Sequence, residues 1–149
     1  MTTSEEQGSG APRVAIREGL LAGDLAKPET VRLCGTRCAA CGEVSLGRNP
    51  ICPNCGGDRV AEVALASDGV LWTYTVARNR PPGDYKGKDP FVPFGLGLVE
   101  LPDGIRVLSP LEVEIEALRI GMALRFRAYV QHRDPAGRDV VAFTFTAAA

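Results

Sequence analysis

The spacing of apolar residues changes near position 60 of the chain. Between Ile16 and Ala26, apolar residues stand at positions 16, 20, 21 and 25, which is helical spacing. Gly19 and Gly23 weaken this helix, and Pro28 marks its end. We therefore predict a short N-terminal helix of about two to three turns.

From residue 60 onward the pattern is that of β-strands. Apolar and polar residues alternate, β-branched and aromatic residues are frequent, and turn signals such as Pro102–Asp103–Gly104 separate the segments. The segments with this pattern are 60–66, 69–78, 94–101, 105–111, 123–132 and 138–146. Trp72 and Tyr74 are expected on one face of their strand, in the core or lining a groove. About five long strands with little helix predict a mainly β fold built on a small antiparallel barrel.

One connection is too long for a tight hairpin. Residues 79–94 contain four of the eleven prolines and the aromatic residues Tyr85, Phe91 and Phe94. Loops of this length are usually functional or disordered, and the aromatic and proline content argues against disorder. We therefore expect a loop that makes contacts beside the barrel.

Composition and charge narrow the classes of partner. The chain has 149 residues, and 17 Lys and Arg stand against 18 Asp and Glu, which gives a net charge of −1. This balance gives no global reason to expect nucleic acid or an anionic membrane as a partner. Residues 1–13 are polar and contain no apolar leader segment, so we expect a reducing, cytoplasmic location, where disulfides are rare.

Four of the five cysteines form two Cys-x-x-Cys pairs, each followed by glycine. The four are Cys38, Cys41, Cys52 and Cys55. A Cys-x-x-Cys turn places two thiolates on one side of a tight bend, and the following glycine can adopt positive φ. Two such turns facing each other form the tetrahedral four-sulfur site that Zn²⁺ favours. All four ligands are then protein groups, so one zinc ion per chain would stabilise the fold and leave no position for substrate.

The cysteines and the single histidine also have other interpretations. The pairs could form disulfides or redox centres, although a redox motif normally occurs once and opens a helix. The same four sulfurs also suit iron, which the sequence does not distinguish from zinc. The fifth cysteine, Cys34, is predicted to be a small buried apolar residue, and His132 a surface imidazole beside a turn.

The order and spacing of these segments resemble a known family. The segments GTRCAACG, CPNCG, GVLWTYTVAR, PFGLGLVEL and LRIGM, in this order, resemble the rubredoxin-like zinc-ribbon plus OB-fold family of acyl-CoA-associated proteins. The resemblance implies an N-terminal helix and zinc ribbon followed by a five-stranded OB-fold barrel. We accordingly expect a disordered segment over 1–15, a helix plus zinc ribbon over 16–59, and the OB-fold domain over 60–146.

The resemblance also implies a function. Family members act as small non-catalytic partners of larger enzymes that work on coenzyme A thioesters, including thiolase-like enzymes, archaeal hydroxymethylglutaryl-CoA synthase, hydratases and steroid side-chain aldolases. In length and layout the chain is also similar to the small subunits of benzoylsuccinyl-CoA thiolases. It is thus expected to dock on a catalytic subunit, most of all of thiolase type, and to shape or close its CoA-thioester site.

A surface that meets coenzyme A would place arginine or lysine beside an aromatic face, because coenzyme A carries phosphates and an adenine. The long loop offers such groups, and we predict that it faces the partner or the coenzyme. The residues are Arg78, Arg80, Tyr85, Lys86, Lys88, Phe91 and Phe94. Solvated loop charges are the alternative explanation for its lysines and arginines.

No catalytic residue is predicted, because the chain carries no evident Ser-His-Asp set, Cys-His pair with a third member, or phosphate-binding glycine loop. A nucleic-acid-binding module is the alternative function, since zinc ribbons and OB-folds both bind nucleic acids. Arg125, Arg127 and Tyr129 alternate along one strand and would suit a basic groove. A solvated strand face explains them equally well.

Overall fold

A computed structural model describes residues 11–148 of the chain. Most of the segment predicted to be disordered, 1–15, lies outside the described residues, and its last three residues form a strand. The strands are β1 (Arg13–Ala15), β2 (Leu21–Ala22), β3 (Arg32–Cys38), β4 (Val44–Leu46), β5 (Val60–Ala64), β6 (Asp68–Ala77), β7 (Phe94–Glu100), β8 (Arg106–Glu112), β9 (Ala123–Arg133) and β10 (Asp139–Ala147). Two single 3-10 turns, Pro28–Thr30 and Ile115–Ala117, are the helical elements of the described part.

The predicted N-terminal helix over residues 16–26 is wrong. The segment contains the short strand β2, which pairs with β3, and otherwise consists of turns. Gly19 and Gly23 adopt φ values of +80° and +104°, which lie outside the helical region. Leu20 and Leu21 are both buried although they are adjacent, so this apolar pattern comes from an irregular segment that lies on the core.

Five strands close into a barrel. Their order around it is β6, β7, β8, β10 and β9, and β9 pairs with β6 to complete the ring. All contacts are antiparallel except the short parallel one between β8 and β10, where Leu111 lies opposite Phe145. β1 also pairs with β10 in parallel, on the edge of β10 that contacts β8. This is a five-stranded OB-type barrel, which confirms the predicted mainly β fold class.

Glycines on β7 allow the barrel interior to be filled by its neighbours. A Cβ at Gly97 would lie 2.7 Å from Cδ1 of Leu71 and 2.9 Å from Cδ1 of Leu111. Gly95 is equally constrained, because its Cβ would lie 2.9 Å from Leu118. Gly95 and Gly97 therefore occupy inner positions of β7 together with the buried Val99, and Leu96 and Leu98 lie on the outer side of the barrel.

A β-bulge in β6 overturns the expectation that Trp72 and Tyr74 share a face. Leu71 pairs with Val99, but the next pair joins Thr73 to the preceding residue of β7, so Trp72 is the extra residue of the bulge. Trp72, next to the fully buried Leu71, points outward and is 45% exposed, and the bulge brings Tyr74 instead of Thr73 against the core. The strand changes which of its positions face the interior at this point.

The cysteine-rich region forms a second, small sheet in which β2, β4 and β5 surround β3. β2 and β4 pair with successive parts of β3, and β5 pairs with its other edge. Leu33 and Leu65 are buried in the same apolar cluster as the barrel residues. A further link is polar, since the backbone N–H of Ala66 donates to the carboxylate of Asp103 in the β7–β8 turn, at 3.0 Å. The ribbon and the barrel thus share one core.

Candidate metal centre and interaction loop

The first cysteine pair lies where β3 ends. The backbone N–H of Gly42 donates to the carbonyl of Cys38 at 2.8 Å, and the N–H of Cys38 donates to the carbonyl of Glu43 at 2.9 Å. These bonds close a tight bend, and Gly42 adopts a φ of +81° with open space at its Cβ position. The bend holds Cys38 and Cys41 on one side, as their spacing predicts.

The second pair forms a matching bend. The N–H of Gly56 donates to the carbonyl of Cys52 at 2.9 Å, and the N–H of Cys52 donates to the carbonyl of Gly57 at 2.8 Å. Gly56 adopts a φ of +77°. The backbone N–H groups of Asn54 and Cys55 point at the sulfur of Cys52, at 3.4 and 3.5 Å. Such donors stabilise a thiolate ligand.

The four sulfurs have the geometry of a tetrahedral zinc site. They all lie within 4.8 Å of one another. Cys38 Sγ is 3.7 Å from Cys55 Sγ, and Cys41 Sγ is 3.7 Å from Cys52 Sγ. Four sulfurs at about 2.3 Å from a central ion are about 3.8 Å apart, whereas a disulfide needs about 2.05 Å. The residues therefore fit one structural zinc ion, and the disulfide alternative does not fit them.

The thiols differ in proton affinity. The Asn54 side-chain amide, 3.5 Å from the sulfur, is the main cause that lowers the pKa of Cys41 to about 6. The backbone N–H of Cys41 in turn lowers the pKa of Cys38. For Cys55 the N–H of Gly57 lowers the pKa, but the neighbouring thiols outweigh it and raise the pKa to about 11. Because zinc binds thiolates, metal binding to this cluster releases protons.

The centre is closed to substrate. Four cysteine ligands complete a tetrahedral site, so a bound zinc ion would keep no open position for a reacting group. Cys38 and Cys52 are buried, while Cys41 and Cys55 lie at the surface. What the ion supplies is a cross-link between the two bends, each too short to bury a core of its own.

Cys34 stands apart from the metal centre. It is fully buried in β3, as predicted, and burial raises the pKa of its thiol. His132 is half-buried on β9, and its Nδ1 lies 3.0 Å from the side-chain oxygen of the adjacent Gln131. Neither residue belongs to the four-sulfur cluster.

The loop between β6 and β7 has an aromatic core of its own. The ring centroids of Tyr85 and Phe94 are 6.1 Å apart and nearly parallel, and Phe91 lies 5.9 and 6.2 Å from the two. The ring of Tyr85 lies directly on Gly87, where a Cβ would come within 2.0 Å of the hydroxyl oxygen. Glycine at position 87 thus leaves room for the ring, and a Cβ there would force the ring to move.

The predicted basic residues of the loop are not equivalent. The guanidinium of Arg80 lies over the ring of Tyr85, 5.3 Å from its centroid. Lys86 forms an ion pair with Asp84 at 3.0 Å. Arg78 and Lys88 are exposed and occur in none of the described ion pairs. Arg80 and the three aromatic residues therefore form one cluster, and the other three basic residues of the loop lie outside it.

The arginines of the predicted basic strand face are neutralised. Arg127 makes two hydrogen bonds to the carboxylate of Glu112, at 2.8 and 2.9 Å. Arg125 pairs with Asp68 at 3.1 Å. Tyr129 lies beneath the guanidinium of Arg127. These contacts form a solvated, ion-paired surface, which is not the basic groove that nucleic acid requires.

Sequence reasoning missed a shallow groove near the base of the barrel, with a volume of about 580 Å³. Its lining comes from the start of β6, the end of β7 and the turn that follows, and includes Asp68, Val70 and Glu100. The loop residues do not line it. Both of its carboxylates are held in ion pairs with arginines, so it presents no free acid or base.

Comparison with known proteins agrees with this architecture. The rubredoxin-like zinc ribbon domain of ChsH2 matches residues 29–61, and the C-terminal OB-fold domain of ChsH2 matches residues 62–129. The chain therefore belongs to the class of proteins that join a four-cysteine zinc ribbon to an OB-fold barrel. Within that class it is a member of the ChsH2-type, or DUF35, family, which confirms the resemblance inferred from the sequence.

Three curated relatives illustrate the family. A DUF35 domain-containing scaffold protein of Pyrococcus furiosus is 36% identical over 95 residues, which cover 63% of this chain and 66% of the relative. A second such scaffold protein, of Methanothermobacter thermautotrophicus, is 30% identical over 96 residues, with coverage of 63% and 69%. The benzoylsuccinyl-CoA thiolase subunit BbsA of Thauera aromatica is 27% identical over 79 residues, 52% of this chain and 50% of that subunit. The chain thus spans about two thirds of the archaeal relatives and half of the thiolase subunit.

A solved structure has the same fold. A chain of the Ltp2-ChsH2(DUF35) aldolase superposes with a TM-score of 0.60 at 28% sequence identity, covering 79% of this chain and 86% of that one.

Among residues 11–148 we find no helix with the length and apolar character needed to cross a bilayer.

Proposed function

We propose that this protein is a non-catalytic accessory subunit of a heteromeric enzyme that acts on acyl-CoA, with a catalytic partner of thiolase type. It docks on the catalytic subunit and helps to shape or close the CoA-thioester site. The observation that carries this proposal is the likeness, over 79% of the chain, to a chain of the Ltp2-ChsH2(DUF35) aldolase. The likeness to a benzoylsuccinyl-CoA thiolase subunit favours the thiolase type.

The chemistry of the chain is consistent with a supporting role. The metal centre uses four protein ligands and offers no Lewis-acid position to a substrate. Cys34 is buried beside backbone groups, and His132 contacts only a neighbouring amide among the described side-chain bonds. A nucleophile with its base, which acyl transfer needs, is not assembled in the described residues.

The long loop is the part that we assign to the coenzyme or to the partner. Arg80, stacked on Tyr85, offers a cation and an aromatic face together, the pairing that suits a phosphate beside an adenine. Lys88 and Arg78 add positive charge on the same loop. The exposed Val92 extends its apolar surface. These residues would meet the nucleotide portion of coenzyme A at the boundary between the two subunits.

Reconstitution tests the proposal. The purified chain is combined with each thiolase-type, synthase-type and aldolase-type acyl-CoA enzyme subunit of its source organism, and thioester turnover is measured with and without the chain. We expect the chain alone to turn over no acyl-CoA and one partner to require it for activity. Turnover by the chain alone, or absence of binding to every subunit, would contradict the proposal.

A loop variant separates the loop from the rest of the molecule. Gly87→Ala forces the ring of Tyr85 away from its position and should weaken binding of coenzyme A to the reconstituted complex. Gly83→Ala is a control in the same loop, because its Cβ would contact nothing within 4 Å, although its φ of +85° adds local strain. Equal coenzyme affinity in wild type and both variants would remove the loop from the site.

A further inference from the structure

The outer surface of β6, β7 and β8 carries several apolar residues, whereas the outer surface of a small barrel is ordinarily polar. Leu108 is 61% exposed and Trp72 is 45% exposed. Leu96 and Leu98 of β7 and Pro110 of β8 occupy outward positions of the same strands. We call the five residues Trp72, Leu96, Leu98, Leu108 and Pro110 the outer apolar face.

These residues are neighbours across the sheet. Leu98 pairs directly with Leu108, and Leu96 pairs directly with Pro110. On the other side, Leu98 pairs with Thr73, next to the bulged Trp72. Side chains at such opposed positions lie about 4.5–5.5 Å apart at their Cβ atoms. The outer apolar face is therefore one continuous patch and not a set of scattered exposed residues.

Two features of the fold put apolar residues there. Gly95, Gly97 and Val99 of β7 occupy the inward positions, so the leucines of that strand lie outward. In β6, Trp72 follows the fully buried Leu71 and points outward, and the bulge brings Tyr74 back to the core without turning Trp72 inward. Burying such a large apolar side chain would be favourable, because it removes apolar surface from water. A free subunit gains nothing from this exposure, which indicates that a second molecule covers the face.

The centre of the face is pre-organised. The guanidinium of Arg106 lies 4.0 Å from the ring centroid of Trp72. The same guanidinium is held by the carboxylate of Glu100, with N–O distances of 3.2 Å. Trp and Arg are the residue types that contribute most at protein interfaces, above all when they are held in place before binding.

The charged residues around the outer apolar face restrict the class of molecule that can bind there. Every charged residue of the three strands is ion-paired: Glu100 with Arg106, Asp68 with Arg125, and Glu112 with Arg127. The face therefore carries no excess charge that would attract a phosphate backbone or an anionic lipid surface. An electrically neutral, apolar patch on a folded protein is complementary to it.

We propose that the outer apolar face is the docking surface for the catalytic partner subunit, with Trp72 stacked under Arg106 as its central anchor. This inference rests on the proposed function and names the surface that would serve it. The face is continuous with the loop, because Phe94 is both the first outward residue of β7 and a member of the aromatic cluster. One interface would thus place the loop beside the partner's thioester site.

Matched substitutions test the face. The complex is formed with the acyl-CoA enzyme subunit that the reconstitution identifies, and its dissociation constant is measured by titration calorimetry. We expect Leu108→Asp and Trp72→Ala to weaken binding by about 30-fold or more. Val130→Asp, a control at a position of β9 that is 40% exposed, should change it by no more than about twofold. Zinc content and thermal unfolding of the free variants establish that they are folded.

A second measurement reports on the face without disturbing it. Trp72 is the single tryptophan of the chain, so the chain labelled with 5-fluorotryptophan gives one ¹⁹F resonance. We expect that resonance to shift when the unlabelled partner binds. A shift with chain concentration alone, together with a dimer in sedimentation, would identify a second copy as the occupant and overturn the partner assignment.

The outcomes separate the two proposals. If the partner binds but the Trp72 resonance is unchanged and Leu108→Asp binds like wild type, the docking surface is elsewhere and the proposed function stands. If no acyl-CoA enzyme subunit binds the wild-type chain, the proposed function fails and this inference fails with it.

Discussion

The zinc ribbon and the barrel are stabilised by different forces. In the ribbon, two bends are fixed by four sulfurs within 4.8 Å of one another, and two of the four cysteines lie at the surface. In the barrel, side chains such as Phe145 and Leu71 are fully buried. In the bends, the metal therefore takes the place of a hydrophobic core. The rest of the ribbon sheet needs no core of its own, because Leu33 and Leu65 are buried in the core of the barrel.

Removing one zinc ligand should have the largest effect. Cys52→Ala leaves three sulfurs and a buried cavity, and the apparent free energy of zinc binding in such sites is about 10–16 kcal/mol. We expect loss of the zinc ion and unfolding of the two bends while the barrel keeps its strands. Elemental analysis and amide hydrogen exchange measure the two effects.

Cys34→Ala is the matched control for that variant, because Cys34 is buried but lies outside the four-sulfur cluster. It should keep one zinc ion per chain. A metal-free Cys52→Ala protein with protected ribbon amides would contradict the role assigned to the metal, since the bends would then be stable without it.

A substitution that creates a cavity in the barrel core is the second test. Phe145 is fully buried, and truncation of such a residue costs about 3–5 kcal/mol of the free energy of unfolding. Because ribbon and barrel share one apolar cluster, we expect Phe145→Ala to lower the temperatures of barrel unfolding and zinc release together. Zinc release at an unchanged temperature, followed with a colorimetric chelator, would show that the two regions are independent.

Overpacking the barrel should have a smaller effect. Gly97→Ala places a Cβ within 3 Å of two leucine side chains and 3.1 Å from the carbonyl of Thr73, and overpacking typically costs about 1–3 kcal/mol. Leu108→Ala, on the outer side of the neighbouring strand, should change stability by about 0.5 kcal/mol or less. Urea unfolding of both variants checks the difference, and equal midpoints would contradict the inward placement of the β7 glycines.

The β9–β10 turn should give the smallest effect, and only at low pH. The backbone N–H of Arg138 is the main donor that lowers the pKa of Asp134, and the Arg138 side chain adds to it. The lowered pKa means that Asp134 contributes stability above its unfolded pKa of about 4, and this is lost as pH falls through the folded value. Asp134→Asn should therefore lower the melting temperature at pH 7 but not at pH 2. A difference that persists at pH 2 would contradict this origin.

Prediction from sequence succeeded where spacing is local. The four cysteines lie within 18 residues, each pair at a separation that permits one bend, so a metal site follows from the spacing alone. The turn at Pro102–Asp103–Gly104 also forms as predicted, with Gly104 at positive φ. The N-terminal helix was wrong because its apolar positions are buried by non-local contacts and its glycines adopt φ values closed to a helix.

The sequence by itself determined the metal site, the strand-rich character after residue 60 and the main turns, because each depends on residues close together in the chain. Only the tertiary structure decided which side of each strand is the inner one. The bulge at Trp72 and the tight packing at Gly97 depend on the partners of β6 and β7 across the barrel, which alternation along one strand does not specify. For that reason the outer apolar face, unlike the zinc site, emerges only when the strands are placed side by side.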